Sequence, residues 1–185
     1  PFLPEAFVEN LKREYRGTVF YDRYILGQWA LAEGLIYPMF GESNIVDAVP
    51  DRGEYYISCD YGTLNPFSAG LWCWDGKTAT RIREYYYSGR DECSNKTDEE
   101  YYMELEKLAG DLPVKSAVLH PSAASFIEVI RRHKRFTVIK AVNDVLPGIM
   151  TTARYLQDGT VKIHRSCKDA IREFGLYRWD EESTE

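Results

Sequence analysis

The sequence contains no apolar run long enough to cross a bilayer and no opening pattern of a cleaved leader, so neither a helical membrane span nor a signal peptide is read from it. Its four cysteines, Cys59, Cys73, Cys93 and Cys167, include no Cys-x-x-Cys pair, and the three histidines add no zinc-ligand spacing. A structural zinc site is therefore not indicated, and free thiols in a reducing compartment are expected rather than a disulfide framework. No Gly-x-x-x-x-Gly-Lys-Ser/Thr loop is present, which excludes ATP hydrolysis by that route. Internal repeats and low-complexity segments are missing as well. Positive charge is in short supply: 23 Lys and Arg against 29 Asp and Glu leave a net charge of −6. That balance argues against a protein that coats nucleic acid by neutralising phosphates. It argues less against one that gathers carboxylates around a metal and needs only a local basic strip.

Apolar material is plentiful. Hydrophobic residues make up 44% of the 185 residues and aromatics 14%, with 14 tyrosines, enough for the core of one domain with some chain to spare. The basic residues cluster at Arg131, Arg132, Lys134, Arg135 and Lys140. Such a run suits either the negative end of a helix dipole or a phosphate contact. The chain opens on Pro1-Phe2-Leu3-Pro4 without Met and is read as a fragment of something longer.

Residues 1–45 differ from the rest. A short helix is expected from Glu5 to Glu14, with Phe7 and Leu11 one turn apart, and a second from Val19 to about Leu31. This aromatic and glycine-rich stretch reads as an arm, closed by the breaker Pro50-Asp51-Arg52-Gly53. Beyond it, Tyr55–Asp60, Phe67–Trp74 and Thr78–Tyr87 read as three strands of an antiparallel meander, the last two joined by the hairpin signal Asp75-Gly76. Thr97-Asp98-Glu99-Glu100 is a capping box, and Tyr101, Leu105 and Leu108 form one apolar helix face ending at Gly110. A strand Ser116–His120, a helix carrying Phe126, Ile127 and Ile130, and a strand Phe136–Lys140 follow. Next come a helix capped by Asn143 with Val145, Ile149 and Leu156 on one face, a short edge strand Thr160–His164 and a final helix from about Cys167 to Tyr177. The order implies an α/β fold: a mixed sheet, antiparallel meander first, then alternating helices and strands, with helices on its faces.

In an open sheet of this kind, sites form where neighbouring strands end. The first long strand ends at Asp60, and the first strand after the meander and its helix ends at His120. Parallel pairing of those strands would set the two side by side. Asp60 suits a turn-capping aspartate as well as a metal carboxylate, and the apolar strand leading into it favours a paired or metal-bound charge. His120 either closes a strand or acts as a ligand. Lys140 and Arg154 are candidates for phosphate contact. Asp144, expected as the first helical residue after Asn143, fits a helix-dipole role; His133 and His164 are read as ordinary surface residues.

Several stretches, in order, resemble the C-terminal part of phage terminase large subunits: Tyr24-Ile-Leu-Gly-Gln-Trp-Ala30, Glu33-Gly-Leu-Ile-Tyr-Pro-Met-Phe40, Ile57-Ser-Cys-Asp-Tyr-Gly-Thr63 with Asn65-Pro66, His120-Pro-Ser-Ala-Ala-Ser-Phe126, Asn143-Asp-Val-Leu-Pro-Gly-Ile149 and Tyr177-Arg-Trp-Asp180. The resemblance implies a ribonuclease-H-like nuclease domain at 46–185, joined through 1–45 to an upstream ATPase domain. It also implies an endonuclease that cuts concatemeric double-stranded viral DNA with two divalent ions, Mn²⁺ or Mg²⁺. Asp60 takes the place of the family's first-strand metal aspartate. His120 stands where the family has a second aspartate, before Pro-Ser-Ala-Ala-Ser; a neutral imidazole suits Mg²⁺ less well than a carboxylate does. The family's third acidic motif follows the Tyr-x-Trp-Asp stretch and is not within these residues; Asp180 and Glu181 read as solvated surface. The implied partners are DNA, the small terminase subunit and the portal protein, the implied location is the host cytoplasm, and no membrane is involved. The alternatives are a module that grips DNA or docks on the portal without cutting, and a junction resolvase of the same fold.

Overall fold

The computed structural model describes residues 34–62 and 66–179, together with 8, 9 and 12. The helix expected over Val19–Leu31 and the residues Asp180 and Glu181 lie outside the described residues. Of the helix expected over Glu5–Glu14, Val8, Glu9 and Lys12 are described and helical.

Seven strands form one mixed sheet in the order β1 (Ile45–Val46), β7 (Val161–His164), β4 (Ala79–Tyr87), β3 (Phe67–Trp74), β2 (Glu54–Asp60), β5 (Val114–Leu119) and β6 (Thr137–Lys140). The meander is β2, β3 and β4, antiparallel throughout. Its hairpin is closed by Asp75, whose Oδ1 accepts the backbone N–H groups of Lys77 and Thr78 at 2.8 and 2.7 Å, with Gly76 at φ +96°, a conformation glycine adopts without strain. The remaining strands, β5, β6, β7 and the two-residue β1, all pair in parallel.

Alternation decides which residues meet which layer. Ile57, Cys59, Phe67, Ala69, Leu71 and Cys73 point to one face and are buried under α1 (Asp98–Ala109) and α2 (Ala124–His133). Phe67 stacks on Tyr101 at 4.1 Å, with Tyr61 stacked on Phe126 at 5.2 Å beside them. The capping box forms as expected: the Thr97 hydroxyl accepts the Glu100 N–H, and the Glu100 carboxylate accepts the Thr97 N–H at 2.7 Å. Residues 56, 58, 60, 68, 70, 72, 81, 84 and 86 occupy the opposite face, where α4 (Lys168–Leu176) lies against β4. At Gly70 a Cβ would stand 2.6 Å from the Arg81 guanidinium carbon, so a larger residue there needs that side chain to shift.

A second apolar cluster joins α3 (Val145–Gln157) to residues ahead of the meander: Ile36 and Tyr37 are buried with Ile149, Ala153 and Leu156, and Phe40 stacks on Phe174 at 4.3 Å. Asn44 is buried and donates to the Leu156 carbonyl at 2.8 Å.

Two expectations about elements need correction. The strand expected at an edge, β7, is flanked on both sides, by β4 and by β1; a two-residue partner leaves no periodic signal in the sequence. Asn143 does not cap α3. Asp144 holds the N-cap position with extended backbone and makes no side-chain capping bond, and Val145 is exposed; the buried stripe begins one turn later, at Ile149.

Candidate active site

The sheet brings the ends of β2, β5 and β6 together at one edge. β2 and β5 are parallel neighbours with Cys59 opposite Leu119, so Asp60 and His120 stand one position further along adjacent strands, which run about 5 Å apart in any sheet. Asp60 is exposed and lies across from Ser68 on β3. Its orientation is fixed by its neighbours. Cys59 points into the core, where burial first, and the Asp60 charge second, push its thiol pKa upward. Tyr61 is drawn back to the core face: its ring packs among Phe67, Tyr101 and Phe126, and its hydroxyl donates to Asp98 Oδ1 at 2.6 Å. Burial, reinforced by that carboxylate, pushes the Tyr61 hydroxyl up to about 12. With both flanking residues anchored on one side, Asp60 projects from the other.

His120 is half-buried, and its ring is held by the turn after β5. Nδ1 accepts the Ser122 backbone N–H at 3.1 Å and lies 2.5 Å from the Ser122 hydroxyl. Lys140 ends β6 in register with Leu119, so its side chain belongs to the helical face opposite Asp60, although it is exposed at the same edge. Arg154 sits on α3, which packs against β7 toward the other end of the sheet, and its guanidinium lies 5.0 Å from the Tyr155 ring centre. The structure thus joins Asp60, His120 and Lys140 along one edge and leaves Arg154 apart from them.

The other charged candidates are committed elsewhere. Arg131 pairs with Glu128, Arg132 and His133 with Glu99, and Arg135 with Glu106, so the basic run is largely spent on neighbouring carboxylates. His133, read as an ordinary surface residue, also stacks on Tyr102 at 3.8 Å. The cysteines are free, and all but Cys93 are buried.

Sequence reasoning missed the charge system behind Asp60. Glu84 on β4 accepts the first backbone N–H groups of α4, from Asp169 and Ala170, at 2.8 and 3.0 Å, and meets Arg81 at 3.6 Å. A carboxylate from a distant strand thereby caps a helix whose own N-cap residue, Cys167, makes no capping bond. Arg81 also donates to the Ala69 carbonyl at 3.2 Å. Beside this pair a cavity of about 210 Å³, lined by Ser68, Arg81, Tyr86, Glu173 and Tyr177 among others, opens on the Asp60 face. No local signal marks Glu84, since its partner lies 85 residues away.

Asp60 is an exposed carboxylate at a strand end, suited to a hard cation. Among the described residues no group of three or more His, Cys, Asp and Glu is placed to hold a metal. Asp60 therefore fits one side of a cation site, and the described residues do not by themselves fit the expected ion pair.

No family model matches the sequence, and no curated protein matches it. Solved structures do. A large terminase from a thermophilic bacteriophage, in complex with ADP, is 45% identical over 98% of this chain and 46% of its own, with a TM-score of 0.86. The P22 large terminase nuclease domain is 16% identical, matching 82% of this chain and 83% of its own at a TM-score of 0.65. The large terminase nuclease of the thermophilic phage G20c, with bound cobalt, is 14% identical, matching 79% and 81% at 0.53. The fold is accordingly that of the terminase nuclease domains, a ribonuclease-H-like mixed sheet. The chain belongs to the phage large terminase family and spans about half the length of the ADP-bound terminase.

Proposed function

We propose that this chain is the nuclease part of a phage DNA-packaging motor, an endonuclease that hydrolyses phosphodiester bonds of double-stranded viral DNA with a divalent cation, Mn²⁺ or Mg²⁺, held at Asp60. The observation that carries the reading is the position of Asp60: an exposed carboxylate at the end of β2, next to the end of β5, in a sheet of the terminase nuclease type. Membership in a family with a cobalt-bound nuclease supports a divalent ion, and the ADP complex of the related terminase supports an ATPase part upstream of 46–185, joined through 1–45.

A cation bound there would neutralise phosphate charge and make its water acidic enough to attack. The chain's own contribution is to hold the Asp60 carboxylate clear of the core, through Cys59 and Tyr61, so that it meets the ion without reorganising. Lys140, exposed at the same end of the sheet but on the opposite face from Asp60, would neutralise a phosphate only of a strand that passes round that end; Arg154, away from that edge, would contact DNA only along a longer track. Double-stranded DNA, the small terminase subunit and the portal are the partners this reading requires, in the host cytoplasm. Among the described residues no helix is long and apolar enough to cross a membrane.

A second reading, a module that grips DNA or docks on the portal without cutting, is favoured by one observation: His120 occupies a strand-end position that a carboxylate fills in the resembling motif. Calorimetric titration with Mn²⁺ tests the metal claim. Asp60→Asn should abolish binding with the fold unchanged by circular dichroism; undiminished binding would remove Asp60 from the site.

A further inference from the structure

His120 and His164 stand in the same local frame. Each ends or directly follows a parallel strand, each is two residues before a serine, and each turns Nδ1 back onto that serine. For His164, Nδ1 accepts the Ser166 N–H at 3.3 Å and lies 2.8 Å from its hydroxyl. For His120 the corresponding distances to Ser122 are 3.1 and 2.5 Å. In this turn Nδ1 does what the carboxylate of an aspartate does in an Asx turn, accepting the N–H two residues ahead.

The consequence is a fixed tautomer. A backbone N–H aimed at Nδ1 requires a lone pair there, so a neutral ring carries its proton on Nε2. Coordination through Nε2 needs the opposite tautomer, with the metal-bound nitrogen bare and Nδ1 protonated. That would set two N–H groups against each other across 3.1 Å and open the turn. The chain shows what Nε2 does instead: at His164 it lies 3.2 Å from the Asp47 carbonyl oxygen, an acceptor. At His120, no protein acceptor among the described residues faces Nε2. An N–H donor without a protein partner among the described residues thus stands one strand from the Asp60 carboxylate, at the edge where Lys140 also ends.

We infer that His120 is not a metal ligand but an N–H donor to an anionic oxygen, a phosphate oxygen of the bound DNA strand, and that the turn with Ser122 holds it in that form. The inference rests on the nuclease reading for its ligand but not for its tautomer. It changes the meaning of a histidine where a carboxylate is expected: a negative group that would attract a cation is replaced by a donor that attracts the phosphate.

Nitrogen-15 NMR of the histidine rings in the full chain tests this, with His164 as the internal reference. Both rings, when neutral, should show a protonated Nε2 and an unprotonated Nδ1. Adding Mg²⁺ should perturb signals around Asp60 and leave the His120 ring nitrogens in place; adding a short DNA duplex without metal should shift the His120 Nε2–H and not that of His164. His120→Asn, whose side-chain oxygen keeps the turn while its shorter amide withdraws the donor, should weaken metal-free duplex binding roughly tenfold or more, as for a hydrogen bond to a charged group. An Nδ1–H tautomer, or a Mg²⁺-induced change at Nε2, would make His120 a ligand and overturn the inference. Unchanged duplex affinity in His120→Asn would overturn the phosphate contact. If Mg²⁺ leaves the Asp60 signals unmoved, the metal reading of the site fails, while the DNA measurements still decide the role of His120.

Discussion

Asp60 is exposed because the residues on either side of it are not. Cys59 is buried in the core, and Tyr61 spends its ring on Phe126 and its hydroxyl on Asp98. Tyr61→Phe keeps the stacking and loses only the hydrogen bond, so urea unfolding should register a loss of about 0.5–1.5 kcal/mol. Tyr61→Ala removes the packing as well and should cost about 3–5 kcal/mol. If the two variants were equally stable, the hydroxyl rather than the ring would be holding the strand end. Gly70 makes a comparable single-residue claim. Alanine there meets the Arg81 guanidinium at 2.6–2.8 Å, and a shift of that group would stretch its contacts with Glu84 and the Ala69 carbonyl. A loss of about 1–3 kcal/mol is expected from the overpacking; a neutral Gly70→Ala would mean that Arg81 is free to move.

At the scale of elements, two helices are held by carboxylates in different ways. In α1 the cap is local. The Thr97 N–H, and then its hydroxyl, hold the Glu100 carboxyl below its ordinary value of 4.5. A carboxyl lowered on folding contributes stability that is fully present above the unfolded value and disappears as the pH falls through the folded one. Melting temperature should therefore fall on acidification below about pH 4.5, and Thr97→Ala should reduce that Glu100-dependent part of the fall while costing about 1 kcal/mol at neutral pH. In α4 the cap comes from Glu84 on β4. Glu84→Gln keeps one acceptor for the helix N–H groups but strips the Arg81 partner from a site that is nearly closed to solvent. This contrast explains what the sequence made legible. The box Thr97–Glu100, the hairpin Asp75-Gly76 and the alternation of β2, β3 and β4 are written within a few residues, and each formed where expected. The Glu84 cap, the covering of β7 by residues 45 and 46, and the exposure of Val145 depend on contacts between segments far apart in the chain.

The whole molecule is a sheet with a different role for each face. One face is closed by α1 and α2 over an aromatic core; the other carries the exposed Asp60 together with Ser68, Arg81 and Glu84, with α4 packed against β4 and a cavity alongside. Residues 34–46 are part of this arrangement, through Ile36, Tyr37 and Asn44 and through the pairing of β1 with β7. The sequence made the strand end at Asp60 and its neighbour at His120 legible, because both follow apolar strands; it could not show that His120 would turn its Nδ1 onto Ser122. The central claim is that Asp60 holds a cation used to cut DNA, and nicking of supercoiled plasmid measures it most directly. The account predicts nicking by the chain in Mn²⁺ or Mg²⁺, lost on chelation and lost in an equally well folded Asp60→Ala variant. Nicking that persists in Asp60→Ala, or that proceeds without a divalent ion, would contradict it.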